Sequence, residues 1–203
     1  ADGLAMAYMN KANTLRKLGD NRGATALYDR AVKIYERLVN TEGRRELAEK
    51  LAMTYMNRAN ALHTVGDSQG ATALYDRAIK IYEQLVNTEG RRKLADELAM
   101  SYTNMAVAVT ALGDNRGAAT LYDRAIRIYE RLVNAEDRRE FAGELAWTVG
   151  NYAGVLIKLG EKERGSREAG EAAKILRTEI ARTGRADLQR VLSYVDGLID
   201  EEA

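Results

Sequence analysis

Apolar residues recur every three or four positions along most of the chain, and the pattern resolves into pairs of amphipathic segments. In the second pair, Leu47, Leu51, Tyr55, Ala59 and Leu62 fall on one face of a first helix, A, predicted over 44–65. Ala71, Leu74, Tyr75, Ala78, Ile81, Tyr82 and Leu85 do the same on a second helix, B, predicted over 68–87. Two helices of about 20 residues are each about 30 Å long. Gly66-Asp67 separates them: glycine accepts the left-handed conformation past a helix end, and aspartate caps the next helix by accepting from its orphan amides. Asn87-Thr88-Glu89-Gly90 closes helix B with residues that break a helix.

The pair repeats. Leu4, Leu51, Leu98 and Leu145 are 47 residues apart, as are Gly19, Gly66, Gly113 and Gly160. Residues 4–46 and 51–93 differ at eleven of forty-three positions. A strict period of this size marks a stacked repeat, in which each unit completes its core against its neighbours. The expected organisation is one solenoid over 1–203, with repeats at 1–43, 44–90, 91–137 and 138–184 and a capping helix at 185–203. Ala1-Asp2-Gly3-Leu4 aligns with Ala48-Glu49-Lys50-Leu51 inside a repeat, so the first repeat is read as truncated. The fourth copy is worn. Ala169 and Leu176 replace two tyrosines, and Leu188, Val191, Leu192, Val195 and Leu198 then line one side of the last helix. End repeats need a polar outer face, so 162–203 is read as the cap, ending in the solvated carboxylates Asp200, Glu201 and Glu202.

Composition narrows the class. There is no proline, and Ala, Leu, Arg and Glu dominate each copy, so the fold class is all-α. With 31 basic and 30 acidic residues the net charge is +1, which supplies no global field to steer nucleic acid or an anionic membrane. Cysteine is absent, which excludes thiolate chemistry. No apolar run approaches the roughly 20 residues of a membrane span. A cytoplasmic location is expected, with a targeting segment upstream left open.

The stretch Tyr8-Met9-Asn10-Lys11-Ala12-Asn13 through Leu18-Gly19-Asp20, followed by Ala24, Tyr28 and Ala31, resembles a tetratricopeptide repeat (TPR). Tyr55, Ala59, Gly66, Ala71, Tyr75 and Ala78 carry the resemblance in copy two, and Tyr102, Ala106, Gly113, Ala118, Tyr122 and Ala125 in copy three. The resemblance implies an α-solenoid of helix-turn-helix repeats, a right-handed superhelix with helix A lining the concave side. The chain departs from the family in three ways. The period is 47 rather than the usual 34; Glu36, Glu83 and Glu130 stand where the family ends helix B with proline; and Lys11 and Arg58 replace a core leucine.

The expected function is a non-catalytic scaffold that binds a peptide or partner-protein segment in the groove. Asn10, Asn57, Asn104 and Asn151 occupy one position in all four copies, an unusual choice in mid-helix. Two roles fit them: bidentate bonding to an extended peptide backbone, or a structural ladder between adjacent A helices. Met6, Met53, Met100, Trp147 and Tyr194 form a second series that faces the groove on the family model, or else packs as ordinary core. The copies diverge along one stripe at Met9/Met56/Thr103/Gly150, Asn13/Asn60/Val107/Gly154, Arg16/His63/Thr110/Ile157 and Lys17/Thr64/Ala111/Lys158, either as a specificity surface or as drift at exposed sites.

Two further classes stay open. Near-identical repeats can stack on one another, giving a homo-oligomer. Arg44-Arg45, Arg91-Arg92 and Arg138-Arg139 form a row that could take phosphates of RNA or another anion, although Asp29, Asp76 and Asp123 share their period and favour ion pairing within the chain. No catalytic set, metal spacing or cofactor motif is visible: the one histidine, His63, is Arg16 and Thr110 in sister copies.

Overall fold

The computed structural model describes residues 1–200, and among them every regular element is helical. Helices α1 (Asp2–Lys17), α3 (Ala48–Thr64), α5 (Ala95–Ala111) and α7 (Ala142–Lys158) are the A helices. Helices α2 (Asn21–Glu36), α4 (Ser68–Glu83), α6 (Asn115–Glu130) and α8 (Lys162–Thr183) are the B helices, and α9 (Asp187–Asp200) follows. The final carboxylates singled out above, Glu201 and Glu202, lie outside the described residues. The chain divides into two compact units, Ala1–Ala108 and Val109–Ala203, with the boundary inside α5.

The turn between A and B is built the same way four times. Gly19 N–H donates to Arg16 O at 3.0 Å and Asp20 N–H to Leu15 O at 2.9 Å, the paired bonds of a Schellman motif. Gly66, Gly113 and Gly160 repeat it, all four glycines having φ between 84 and 91°. Asp20, Asp67 and Asp114 then cap the next helix, each accepting from the N–H three residues on, at 2.8 Å. The donor is always glycine: a Cβ on Gly23, Gly70 or Gly117 would lie 2.2–2.3 Å from the capping carboxylate. Cap and glycine disappear together in copy four, where Glu161 makes no side-chain cap and instead accepts from Arg164 at 2.9 Å.

The junction from B to the next A differs from the sequence expectation. Helix B does not simply run to residue 87. Each of the first three widens into a π-helical turn, at Arg37–Thr41, Gln84–Thr88 and Arg131–Ala135. Glu42 N–H reaches back to Arg37 O at 3.0 Å and Arg44 N–H to Leu38 O at 2.9 Å, around the buried Leu38. A single 3-10 turn, Arg45–Leu47 or its counterpart, leads into the next helix A, which begins at Ala48 rather than at 44. Between the two, Gly43 and Gly90 hold φ at 70°, and Asp137 takes the same place at 51°.

Alanine and tyrosine build the core. In the first unit Ala5, Ala12, Ala24, Ala31, Ala52 and Ala59 are fully buried, so helix backbones approach closely, and Tyr28, Tyr35, Tyr75 and Tyr82 fill the gaps between them. α1 packs on α2, α2 on α3 and α3 on α4. Tyr55 of α3 reaches back to α2, where its hydroxyl donates to Glu36 Oε1 at 2.5 Å, and Tyr102 of α5 does the same to Glu83 of α4. Two of the glutamates that replace the family's proline, Glu36 and Glu83, therefore receive the next repeat.

In the second unit α6 packs on α7, α7 on α8, and α9 on both α8 and α7. The 47-residue step aligns Leu188 with Phe141 and Val195 with Thr148, which puts α9 at the position of a fifth helix A. It sits close because α7 carries glycine beneath it. A Cβ on Gly143 would meet Leu188 at 2.8 Å, and one on Gly150 would meet Val195 at 2.7 Å.

Asp137 is the sole non-glycine residue with positive φ among the described residues. Its ion pair with Arg139 is exposed, at 60% and 85%, and contributes little. Asp137→Gly is expected to stabilise the protein by about 0.5–1 kcal/mol, read from chemical denaturation; no gain would mean that the turn carries no strain.

Candidate functional site

Helices α1, α3 and α5 present equivalent faces in the first unit. Met6, Met53 and Met100 lie on them at one helical position and are 42%, 39% and 41% exposed. One turn further on, Asn10 is exposed and Asn57 and Asn104 are half-buried. Asn57 makes no side-chain hydrogen bond among the described residues, whereas Asn104 Nδ2 donates to Asn60 Oδ1 of α3 at 3.4 Å. That bond joins adjacent A helices, but its acceptor lies outside the series of Asn10, Asn57, Asn104 and Asn151. In the second unit Trp147 and Tyr194 continue the methionine series, 42% and 41% exposed with ring centroids 6.0 Å apart, so Trp147 lies beside the last helix rather than under it. Asn151 Nδ2 donates to Trp147 O on its own helix at 2.8 Å.

Four residues expected at the groove are committed elsewhere. Met9 and Met56 are buried, at 4% and 3%, and Met9 Sδ accepts from Thr54 Oγ1 of the neighbouring helix A. Divergence at this position follows packing, since Gly150 in the fourth copy admits Val195. Asn13 and Asn60 accept from Tyr28 and Tyr75 at 2.5 and 2.6 Å, tying helix A to helix B within a repeat. Copy three has Val107 there, and Tyr122 turns to Thr110 instead. Burial pushes the Tyr75 hydroxyl well above its usual range; burial, with Glu36 beside it, takes Tyr55 up to about 12, so both stay neutral donors.

The first arginine of each pair in the row is ion-paired, but with partners other than the periodic aspartates. Arg44 binds Glu46 at 2.9 Å, Arg91 binds Glu49, and Arg138 binds Glu140 at 3.2 Å. Asp29, Asp76 and Asp123 pair with Lys33, Lys80 and Arg127 one turn on along their own helices, and Asp29 also with Arg58 at 3.1 Å. Spacing made the arginine–aspartate pairing look attractive, but helical geometry favours the residue four positions along. His63 Nδ1 lies 3.0 Å from Ser68 Oγ, and Ser68 is only 8% exposed, which leaves no accessible nucleophile there. No group of three or more His, Cys, Asp or Glu that could hold a metal is present among the described residues, and none of their helices is long and apolar enough to cross a membrane.

Tyrosine-filled helix pairs joined by Gly-Asp turns define an α-solenoid of helix-turn-helix repeats, and comparison with known proteins gives the class its name. The tetratricopeptide repeat model matches residues 4–44, 51–91 and 98–139, and the chain belongs to that family. The family is commonly a protein-interaction scaffold and generally non-catalytic. Among solved structures, the fold is similar to a kinesin light chain-like protein of nearly identical TPR-like repeats from Podosopora anserina, at 14% identity over 100% of this chain and 98% of that one, with a TM-score of 0.65. BtubC (BKLC) from P. vanneervenii matches at 18% identity over 98% and 78%, TM-score 0.65, and the apo form of RapI at 14% over 98% and 70%, TM-score 0.61. Likeness at these identities is likeness of fold. Among curated proteins none matches.

One acidic contact in the first unit has a pH consequence. Asp2 is bound by Lys50 at 3.0 Å, but the equivalent pair in the next repeat is Glu49 and Glu97, two acids. Burial, then Asp96 and Glu49, raise Glu97 above its ordinary 4.5. A raised folded-state pKa means that stability is full below 4.5 and is lost as pH climbs through the raised value. Glu97→Gln, which mimics the protonated form, is expected to raise the unfolding temperature at pH 7 and leave it close to wild type at pH 4. Equal shifts at both pH values would contradict this.

Proposed function

We propose that the protein is a scaffold holding a peptide or a segment of a partner protein against the exposed faces of α1, α3 and α5. The observation that carries the reading is the methionine series. Met6, Met53 and Met100 are about 40% exposed in a chain that buries Met9 and Met56 three residues away. A flexible, polarisable apolar side chain repeated on an open face suits contact with a varied partner. Asn10 and Asn57 supply unpaired amides beside it, able to donate to and accept from an extended backbone. Trp147 and Asn151 are the corresponding contact residues in the second unit. Asn13, Asn60, Met9 and Met56 support the face from behind.

A second reading, association of copies, draws on Leu4. It is 53% exposed at the position where Leu51 and Leu98 are 2% and 3%. Light scattering across a concentration series separates the readings: a monomer at all concentrations removes the second and leaves the first.

The test of the first reading begins with random peptides selected on the immobilised wild-type protein. Asn57→Ala combined with Met53→Lys is expected to weaken the selected peptides by about tenfold or more, with the helical circular dichroism signal unchanged. Unchanged affinity in a folded variant would rule the face out.

A further inference from the structure

The third repeat keeps its half of an inter-repeat contact, and the fourth has lost the other. In the first unit, Glu36 Oε1 accepts from the Tyr55 hydroxyl at 2.5 Å and from Arg77 Nη1 at 3.1 Å, while the Arg77 guanidinium lies 5.8 Å from the centre of the Tyr55 ring. A phenol and a cation stacked on it thus share one carboxylate. Moving two repeats along, the carboxylate is Glu130, the tyrosine is Val149 and the arginine is Glu171. Glu130 has no hydrogen bond or ion pair among the described residues. Where ring and guanidinium would lie, α6, α7 and α8 enclose a cleft of about 560 Å³, a size typical of small-ligand sites.

The lining matches what is missing. Buried Leu145 and Val149 form an apolar wall, and Glu130, Glu168 and Glu171 stand over it. Glu168 occupies the position of Leu27, Leu74 and Leu121, so two of the three acids replace an apolar or basic residue. Five carboxylates line the cleft against two basic groups, Arg139, bound to Asp137 at 3.1 Å, and Lys174. The charge does not stand alone as evidence: the same glutamate position binds a hydroxyl and a cation in the first repeat, at Glu36, and a hydroxyl in the second, at Glu83.

We propose that the cleft binds an organic cation carried on an apolar or aromatic stem, the Tyr55–Arg77 chemistry supplied by another molecule. Glu130 takes the cation, Val149 and Leu145 take the stem, and Glu168 and Glu171 set the selectivity for positive charge. The source is either a free amine or a side chain of a partner protein. None of the residues of the methionine and asparagine face takes part.

Calorimetric titration of the whole protein tests this with tyramine and agmatine as free cations, N-acetyl-Tyr-Arg-amide as the peptide form, and 4-hydroxyphenylethanol as the neutral isostere of tyramine. The expected result is saturable binding of the cations, weaker by about tenfold or more for the neutral isostere and for the exposed-site variant Glu130→Gln. Val149→Tyr with Glu171→Arg rebuilds the trio within the chain; binding should vanish and the unfolding temperature rise. Tightest binding of the peptide assigns the site to a partner's side chain, and tightest binding of a free amine assigns it to a small molecule. No saturable binding of any cation to wild type up to about 10 mM, or binding that Glu130→Gln leaves intact, overturns the proposal.

Discussion

In the first unit, the tyrosine that crosses from α3 or α5 to the glutamate at the end of the preceding helix B is the contact on which the stacking of the repeats depends. A helix pair buries only one of its two faces internally, and the other must be covered by the next pair. Tyr55 and Tyr102 do this with both ends of the side chain: a buried ring, and a hydroxyl delivered to Glu36 or Glu83. Proline at that glutamate position would remove the acceptor. Its absence lets helix B run on into the π-helical turn that lengthens the repeat.

The same contact explains where the copies diverge. Positions that meet a neighbouring repeat change in concert with it. Met9 faces Thr54, Gly150 faces Val195, and Glu130 faces Val149 where its sisters face tyrosine. Met6, Met53 and Met100 keep one residue type on an open face of the first unit, whereas the exposed position held by Lys17, Thr64, Ala111 and Lys158 varies, and that contrast sets the methionines apart from solvent-exposed drift. Both proposed binding sites lie where the repeats leave surface unburied: a face in the first unit, a cleft in the second.

Much of the fold was legible because local chemistry and tertiary packing agree. Gly19-Asp20 and its copies end one helix and begin the next in sequence and in structure alike. The π-helical turn was not legible, since Arg37–Asn40 reads as the end of an ordinary helix and nothing in those residues signals the widening. α9 was half legible: its apolar face was evident, and the 47-residue step that puts it at the position of a fifth helix A was present in Leu188 and Val195. The candidate site was the least legible part. Periodicity does not name a side chain's partner: Asn60, whose position changes to Val107 and Gly154, meets a tyrosine, whereas Asn57, whose position is asparagine in all four copies, makes no side-chain hydrogen bond among the described residues. The cleft beside Glu130 left a signal, the paired change of Tyr to Val149 and Arg to Glu171, readable only once Tyr55 and Arg77 were known to touch.

A double-mutant cycle on Tyr55→Phe and Glu36→Ala, followed by chemical denaturation, measures the central contact directly. The two side chains meet between helices α2 and α3 and share a hydrogen bond to a charged group, so a coupling energy of about 1–2 kcal/mol is expected. Additive effects, with a coupling near zero, would mean that the repeats are held together by ring and alanine packing alone and that the tyrosine–glutamate contact is incidental.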